Sequence, residues 1–300
     1  MLLQKQSGGM FDPVKRRVFV IIGLGLIGGS LAAAIRRRFR SAHVIGVSRN
    51  PRKLALAKRK RLIHEGFTQL KVALRNADFV LVCSPVNTIP KFISQIDRYA
   101  QPKTIVTDVG STKREIVRWA DRRHFRNIQF VGSHPLAGSH LTGLEHARRD
   151  LFDGAFAFVT PTQKSKPRAV QAVSSFWKGL RASVRILSPD VHDRIVSQVS
   201  HLPHAVASLL VHAVSPASLR YGASGFLDTT RIAQGDPGLW APIFLTNRTN
   251  LLRDLSRFEK ALRHLMSLLE KKSGKSIQSL LKTASQKRSK DGFKTRLYNL

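Results

Sequence analysis

The chain has 300 residues, room for about two domains at roughly 150 residues each, and 42% of them are hydrophobic, enough for a packed core and unlike a disordered chain. Lysine and arginine number 51 against 18 aspartates and glutamates, a formal net charge of +33; such a field attracts anions, whether nucleic acid, an acidic membrane surface, a dinucleotide phosphate or a dicarboxylate. The one cysteine, Cys83, excludes a disulfide framework and fits a reducing, cytoplasmic compartment.

Residues 1–15 show no periodicity and read as a loose arm. Residues 18–35 then run without a charge between two basic clusters, a length at the margin of a membrane span. The first half of the run is β-branched, the middle rich in glycine and the last part helical. It therefore reads as a buried strand, a turn and a helix, and neither a membrane segment nor a signal peptide. Further apolar, β-rich runs follow at 43–48, 78–85, 104–110, 128–132, 155–160 and 184–188, with helical patterns between many of them, such as 50–61 and 112–123. Strands alternating with helices predict an α/β domain over 1–188 with a Rossmann-like, doubly wound parallel sheet. Beyond Pro189 no strand run occurs. Residues 191–214 form a long helical pattern containing one proline, Pro203, and Leu251, Leu255, Phe258, Leu262, Leu265 and Leu269 recur at spacings of three and four. An all-helical domain over 189–272 is expected. Residues 273–300 read as a mobile basic tail, with weak nucleic-acid binding as a minor alternative to simple solvation.

Gly23-Leu24-Gly25-Leu26-Ile27-Gly28 is a GxGxxG between a predicted strand and a predicted helix, the context that marks a dinucleotide site. Gly23 permits the tight turn, Gly25 lets the backbone approach a pyrophosphate, and Gly28 lets helix pack on strand. The free N–H groups of the first helical turn, Leu26 and Ile27 among them, face the phosphates. At the end of the second strand an NAD-specific enzyme carries Asp or Glu for the ribose 2′-OH. Here Ser48-Arg49-Asn50 stands there, with no Asp or Glu between Asp12 and Glu65. Ser48 and Arg49, helped by Arg52 or Lys53, suit a 2′-phosphate, so NADP is expected over NAD.

Ligands of an open parallel sheet sit beyond the carboxyl ends of the strands. Those ends supply Gly23, Ser48, Ser84-Pro85, the stretch from Asp108 to Ser111, and Ser133-His134-Pro135. Ser84, Pro85 and Asp108 are accordingly assigned to the cofactor. His134 is the natural acid/base partner for an alcohol losing hydride, since its pKa lies near working pH.

Taken together, five segments resemble the prephenate and arogenate dehydrogenase family over about residues 16–270: residues 23–30, Thr107-Asp-Val-Gly-Ser-Thr-Lys113, Gly132-Ser-His-Pro-Leu-Ala-Gly138, Ser200-His-Leu-Pro-His204, and residues 225–233 followed by Asp236-Pro237 and Trp240. The first is shared with many dinucleotide enzymes; the ordered combination is specific. The resemblance implies that His134 accepts the proton of a ring C4 hydroxyl and that Ser111 positions that hydroxyl, the histidine and the nicotinamide. It also implies that Arg231 binds a substrate carboxylate, that His192 and His204 line the substrate site with Trp240 nearby, and that the helical domain forms a homodimer. The implied reaction converts prephenate to 4-hydroxyphenylpyruvate with NAD(P) in tyrosine biosynthesis. Hydride loss at C4 creates a carbonyl that takes up the electrons of the breaking C–CO2 bond, and aromatisation drives the step.

Arogenate remains an alternative substrate. Prephenate is favoured because 191–214 holds no carboxylate besides Asp193 to meet an ammonium group. Other dehydrogenases of this two-domain build, such as β-hydroxyacid dehydrogenases or imine reductases, would place a lysine at the reacting carbon. A basic nucleotide-sensing or nucleic-acid-binding protein is a third reading, and strong, salt-dependent DNA binding without turnover would mark it. His192, His201 and His204 lack the Cys or carboxylate partners of a zinc set, so no metal is expected. The other histidines, His140 included, are read as structural or exposed. The arm ahead of the first strand leaves no room for a fused chorismate mutase domain, and the tail does not look like an ACT domain. Any inhibition by tyrosine is then expected at the active site.

Overall fold

The computed structural model describes residues 17–139 and 141–290; the expected arm at 1–15, His140 and the last ten residues lie outside them. The described chain falls into two compact units, one up to Asn250 and one from Leu251 onward. The first unit opens with β1 (Val18–Ile22), α1 (Leu26–Arg38), β2 (His43–Val47), α2 (Pro51–Arg59), β3 (Glu65–Phe67), α3 (Leu70–Ala73) and β4 (Phe79–Val82). It continues through α4 (Ile89–Tyr99), β5 (Thr104–Asp108), α5 (Arg114–Asp121), β6 (Ile128–Phe130), β7 (Gly132–Pro135), β8 (Phe156–Thr160), α6 (Pro167–Gly179) and β9 (Ser183–Ile186). Helices then take over: α7 (Pro189–Val196), a π-helical stretch at Ser197–His201, α8 (Leu202–Ala213), α9 (Pro216–Leu219), α10 (Ser224–Thr230), a 3₁₀ turn at Arg231–Gln234 and α11 (Pro237–Thr246). The helix α12 (Arg248–Glu270) leads into the second unit, which also holds α13 (Gly274–Lys290).

Six strands form a parallel sheet in the order β3-β2-β1-β4-β5-β6. Alternate residues of β1 serve opposite faces. Phe19 and Ile21 join Leu31, Ile35, Phe79, Phe176 and Trp177 in one core, while Val20 and Ile22 join Val80, Val82, Ile93, Ile96 and Ile116 in the other. Both faces are covered, so the strand is apolar throughout. That explains the uncharged run at 18–35, and among the described residues no helix is long and apolar enough to cross a membrane.

The runs at 155–160 and 184–188 do not extend this sheet. They become β8 and β9 of a separate three-stranded sheet, in which β7 pairs antiparallel with β8 and β8 parallel with β9. The run at 128–132 is likewise two elements, since β6 stops at Phe130 and β7 opens at Gly132. The segment read as a tail from 273 is helical as far as Lys290. Its lysines, glutamines, leucines and alanine are good helix formers, so basic charge does not prevent the helix.

Candidate active site

Strand register sets the floor of the site. Ile22, Val82 and Asp108 lie side by side at the carboxyl ends of β1, β4 and β5. The next residues of the first two strands, Gly23 and Cys83, are in contact: a Cβ on Gly23 would stand 2.4 Å from the Cys83 carbonyl oxygen. Gly23 has φ +95, the left-handed backbone that glycine supplies without strain. A Cβ on Gly28 would come within 1.9 Å of the Gly23 carbonyl oxygen, whereas one on Gly25 would meet nothing within 4 Å. The three glycines therefore do separate things: turn, open approach and close packing. Gly25 is the N-cap of α1 and offers no side-chain cap, so the first amides, those of Leu26 and Ile27, have neither an intrahelical acceptor nor a cap. This cradle fits a dinucleotide pyrophosphate, which a helix N-terminus binds through N–H groups and dipole together.

At the end of β2, the Ser48 hydroxyl accepts from the Asn50 amide at 3.2 Å, and Asn50 caps α2 through a 2.9 Å bond from the Arg52 amide. Arg49 is exposed. Ser84 Oγ lies 2.9 Å from the Thr88 hydroxyl and Pro85 is exposed beside it.

Asp108 departs from its expected role at the cofactor. Its carboxylate is fully buried and engaged by protein groups: an ion pair with the buried Lys113 ammonium, the Gly110 amide at 2.9 Å and the Ser133 amide at 3.3 Å. Burial lowers the Lys113 pKa while the Asp108 carboxylate opposes the drop. Asp108 thus ties the end of β5 to the start of β7. Ser133 completes the tie: its hydroxyl donates to the Asp108 carbonyl at 2.7 Å and accepts from Trp177 Nε1 at 3.0 Å and the Thr107 hydroxyl at 2.8 Å. One donor and two lone pairs are all used.

This anchoring carries the next residue, His134, to the carboxyl edge of the parallel sheet. His134 Nδ1 lies 2.9 Å from His192 Nε2, and His192 Nδ1 lies 2.8 Å from Asp193 Oδ1. Asp193 also accepts the amides of Lys113 (2.8 Å) and Arg114 (3.0 Å) at the start of α5. His192 was expected to line the substrate site. It is instead completely buried with both ring nitrogens engaged, packed edge-on against His134 and Phe158, so its place is behind His134.

A second group lies along α8. His204 stacks on Trp240 with centroids 3.6 Å apart and planes 13° apart. Gly235, just after the turn that begins at Arg231, lets both rings approach: its Cβ would stand 2.5 Å from Trp240 Nε1 and 2.9 Å from His204 Cε1. His201, absent from the expected contacts, joins the two groups. Asn247 Nδ2 donates to the Asp193 carbonyl at 2.8 Å and to His201 Nδ1 at 3.1 Å. A neutral His201 with Nδ1 accepting carries its proton on Nε2, and that nitrogen is buried without a partner, as is His204 Nδ1. The signal in the sequence was the i, i+3 spacing of 201 and 204, one helical face. Ser111 and Arg231 stand outside this chain of contacts. Ser111 is half-buried three residues past β5 and Arg231 is exposed; neither side chain has a hydrogen bond or ion pair among the described residues.

Burial pushes His201 down to about 4 and lowers His192. His134 lies well below the ordinary imidazole range, chiefly through burial and then through His192, Lys113 and His201. These folded-state pKa values lie below the unfolded value of about 6.5. Their contribution to stability is therefore complete above that pH and is lost as the pH falls through the window from about 6.5 to 4. Thermal melts should give a level Tm from pH 7 to 8 and a fall below 6.5, with a slope approaching about 1.4 kcal/mol per pH unit for each histidine. A Tm that stays level down to pH 4.5 would contradict the neutral, buried assignment.

A parallel sheet in this strand order, with an open glycine turn and a buried histidine at its carboxyl edge, defines a dinucleotide-dependent oxidoreductase. The family model for the nucleotide-binding domain of prephenate dehydrogenase matches residues 31–186, and that for its dimerization domain matches 188–283. The prephenate dehydrogenase of Bacillus subtilis is 32% identical over 284 residues, covering 92% of this chain and 76% of the relative. The structure of the A. aeolicus prephenate dehydrogenase in complex with hydroxyphenyl propionate and NAD+ superposes with a TM-score of 0.85 at 32% identity, over 92% of this chain and 99% of that one. Synechocystis arogenate dehydrogenase gives 0.76 at 29% identity, over 90% and 98%. The chain belongs to the prephenate dehydrogenase family.

Proposed function

We propose that the chain catalyses the oxidative decarboxylation of prephenate to 4-hydroxyphenylpyruvate, with His134 as the base. The observation that carries this reading is the position of His134: buried, neutral, bonded to a second histidine and tied through Ser133 to the sheet edge where the glycine turn opens. A dinucleotide held over the Gly23–Gly28 turn would supply the hydride acceptor for C4. His134 takes the hydroxyl proton as the carbonyl forms, and Ser111, with its hydroxyl uncommitted, holds the same oxygen. Arg231 is free to clamp a carboxylate of the dianion, for which a planar, bidentate fork is suited. His204, held flat by Trp240, and the unpartnered Nε2–H of His201 add donors along one side. The pathway reading is tyrosine biosynthesis in the cytoplasm.

Prephenate is preferred to arogenate because Asp193, the carboxylate nearest these histidines in sequence, is fully buried and already engaged by two amides and His192, which leaves it out of reach of a substrate ammonium. Residues 1–188 form the dinucleotide part and 189–272 the substrate and dimer part of this reading. A homodimer is supported by exposed apolar side chains on the helices, among them Leu209, Leu227 and Leu245, and by the match to a dimerization domain.

NADP is the proposed cofactor, since Ser48 and exposed Arg49 replace the ribose-binding carboxylate. Absorbance at 340 nm with prephenate or arogenate, each with NAD or NADP, tests substrate and cofactor together. The prephenate and NADP mixture should be fastest. Arg49→Asp should weaken NADP about 10- to 100-fold relative to NAD, the loss of a charge-assisted phosphate contact worth roughly 1.5–3 kcal/mol. A wild-type enzyme that strongly prefers NAD would remove the cofactor proposal; silence in all four mixtures would remove the activity.

A further inference from the structure

Resting on that reading, we infer that Asp193 and His192 are positioning residues that fix which nitrogen of His134 reacts: they hold the proton of His134 on Nδ1 and leave Nε2 as the base. The polarity follows from one end of the hydrogen-bond chain. Asp193 receives two backbone N–H groups at the N-terminus of α5, one on each carboxylate oxygen, so both oxygens act as acceptors. An ionised carboxylate can only accept, so the 2.8 Å bond from His192 places the His192 proton on Nδ1. Its Nε2 is then a lone pair, and the 2.9 Å contact with His134 needs a proton on His134 Nδ1. His134 Nε2 is left unprotonated, with no hydrogen-bond partner among the described residues.

The opposite polarity would need either a cationic His192 or a protonated Asp193. Complete burial opposes the first, and the two amide donors oppose the second. Charge balance points the same way. Lys113 and Asp108 neutralise each other, so the buried cluster carries the single negative charge of Asp193. That charge matches the positive charge His134 acquires when Nε2 takes a proton. The arrangement therefore aims the base and stabilises its product state, with no net proton transfer to Asp193.

The test has two arms. In the full-length protein labelled with ¹⁵N-histidine, the His134 signals, assigned by their loss in His134→Asn, should show Nδ1 protonated and Nε2 bare at pH 7.5. This arm needs no substrate, so it stands whether or not the proposed activity is right. A ring protonated on Nε2 overturns the inference. In the second arm, Asp193→Asn can turn its amide toward His192 and reverse both rings. We expect kcat to fall about 10²- to 10⁴-fold, the range of general-base catalysis, with KM and dinucleotide Kd within about threefold of wild type and the His134 tautomer inverted. A folded Asp193→Asn protein with kcat near wild type, or with reduced kcat but an unchanged tautomer, also overturns it.

Discussion

His134→Asn should lower kcat about 10²- to 10⁴-fold while the protein folds and binds dinucleotide as before. That range is the contribution of a positioned general base, and each tenfold step corresponds to about 1.4 kcal/mol of barrier. Asparagine suits the test because its amide can still donate toward His192 Nε2, so the buried partner is not left unsatisfied, while no basic nitrogen remains. The pH dependence supplies the sign. Burial, His192, Lys113 and His201 all depress the His134 pKa, so the base is neutral at pH 7 and activity should be lost only well below the ordinary imidazole value of about 6.5. In His134→Asn the acid limb should vanish with the rate. Steady-state kinetics from pH 5 to 9 decide the matter: a variant with more than a tenth of wild-type kcat, or with the same acid limb, would exclude His134 as the base.

What the sequence disclosed and what it hid divide along local and long-range causes. The turn from β1 into α1 was readable because its demands are local: Gly23 takes a positive φ, and Gly28 packs against the Gly23 carbonyl five residues back. The central strands were readable because burial on both faces makes them uniformly apolar. Strand β3, Glu65–Phe67, was not; it is three residues long, contains Gly66 and borders only β2. The swing of Ser133-His134 into a separate sheet depends on Asp108 and Trp177, 25 and 44 residues away. His192 and Asp108 were both assigned to ligands. Asp108 was assigned from its place at a strand end and His192 from the resemblance, but only the fold reveals that His192 is spent on His134 and Asp193, 58 and one residues away, and Asp108 on Lys113 and Ser133. His201 was passed over because its role is set by Asn247, 46 residues on.

Gly25→Val should abolish measurable dinucleotide binding and with it all turnover, yet leave the fold intact, and Gly28→Ala should do the reverse in kind. The two glycines lie three residues apart in one motif, and the space around them is opposite. A Cβ at Gly25 meets nothing within 4 Å, and its backbone is extended, φ −97 and ψ −157, a conformation open to a β-branched residue. The added side chain would instead stand where a pyrophosphate must approach the backbone. Thermal melting without cofactor should leave Gly25→Val within about 2 °C of wild type, while titration with NAD or NADP gives no saturation. At Gly28 the Cβ would lie 1.9 Å from the Gly23 carbonyl oxygen, so α1 must move away from β1. The strain of overpacking, about 1–3 kcal/mol, should lower Tm by roughly 2–12 °C at about 2–4 °C per kcal/mol. Melting and titration of both variants side by side separate the two roles. A Gly25→Val protein that binds dinucleotide like wild type would mean that the cofactor does not lie over this turn, and the site built on it would have to be abandoned.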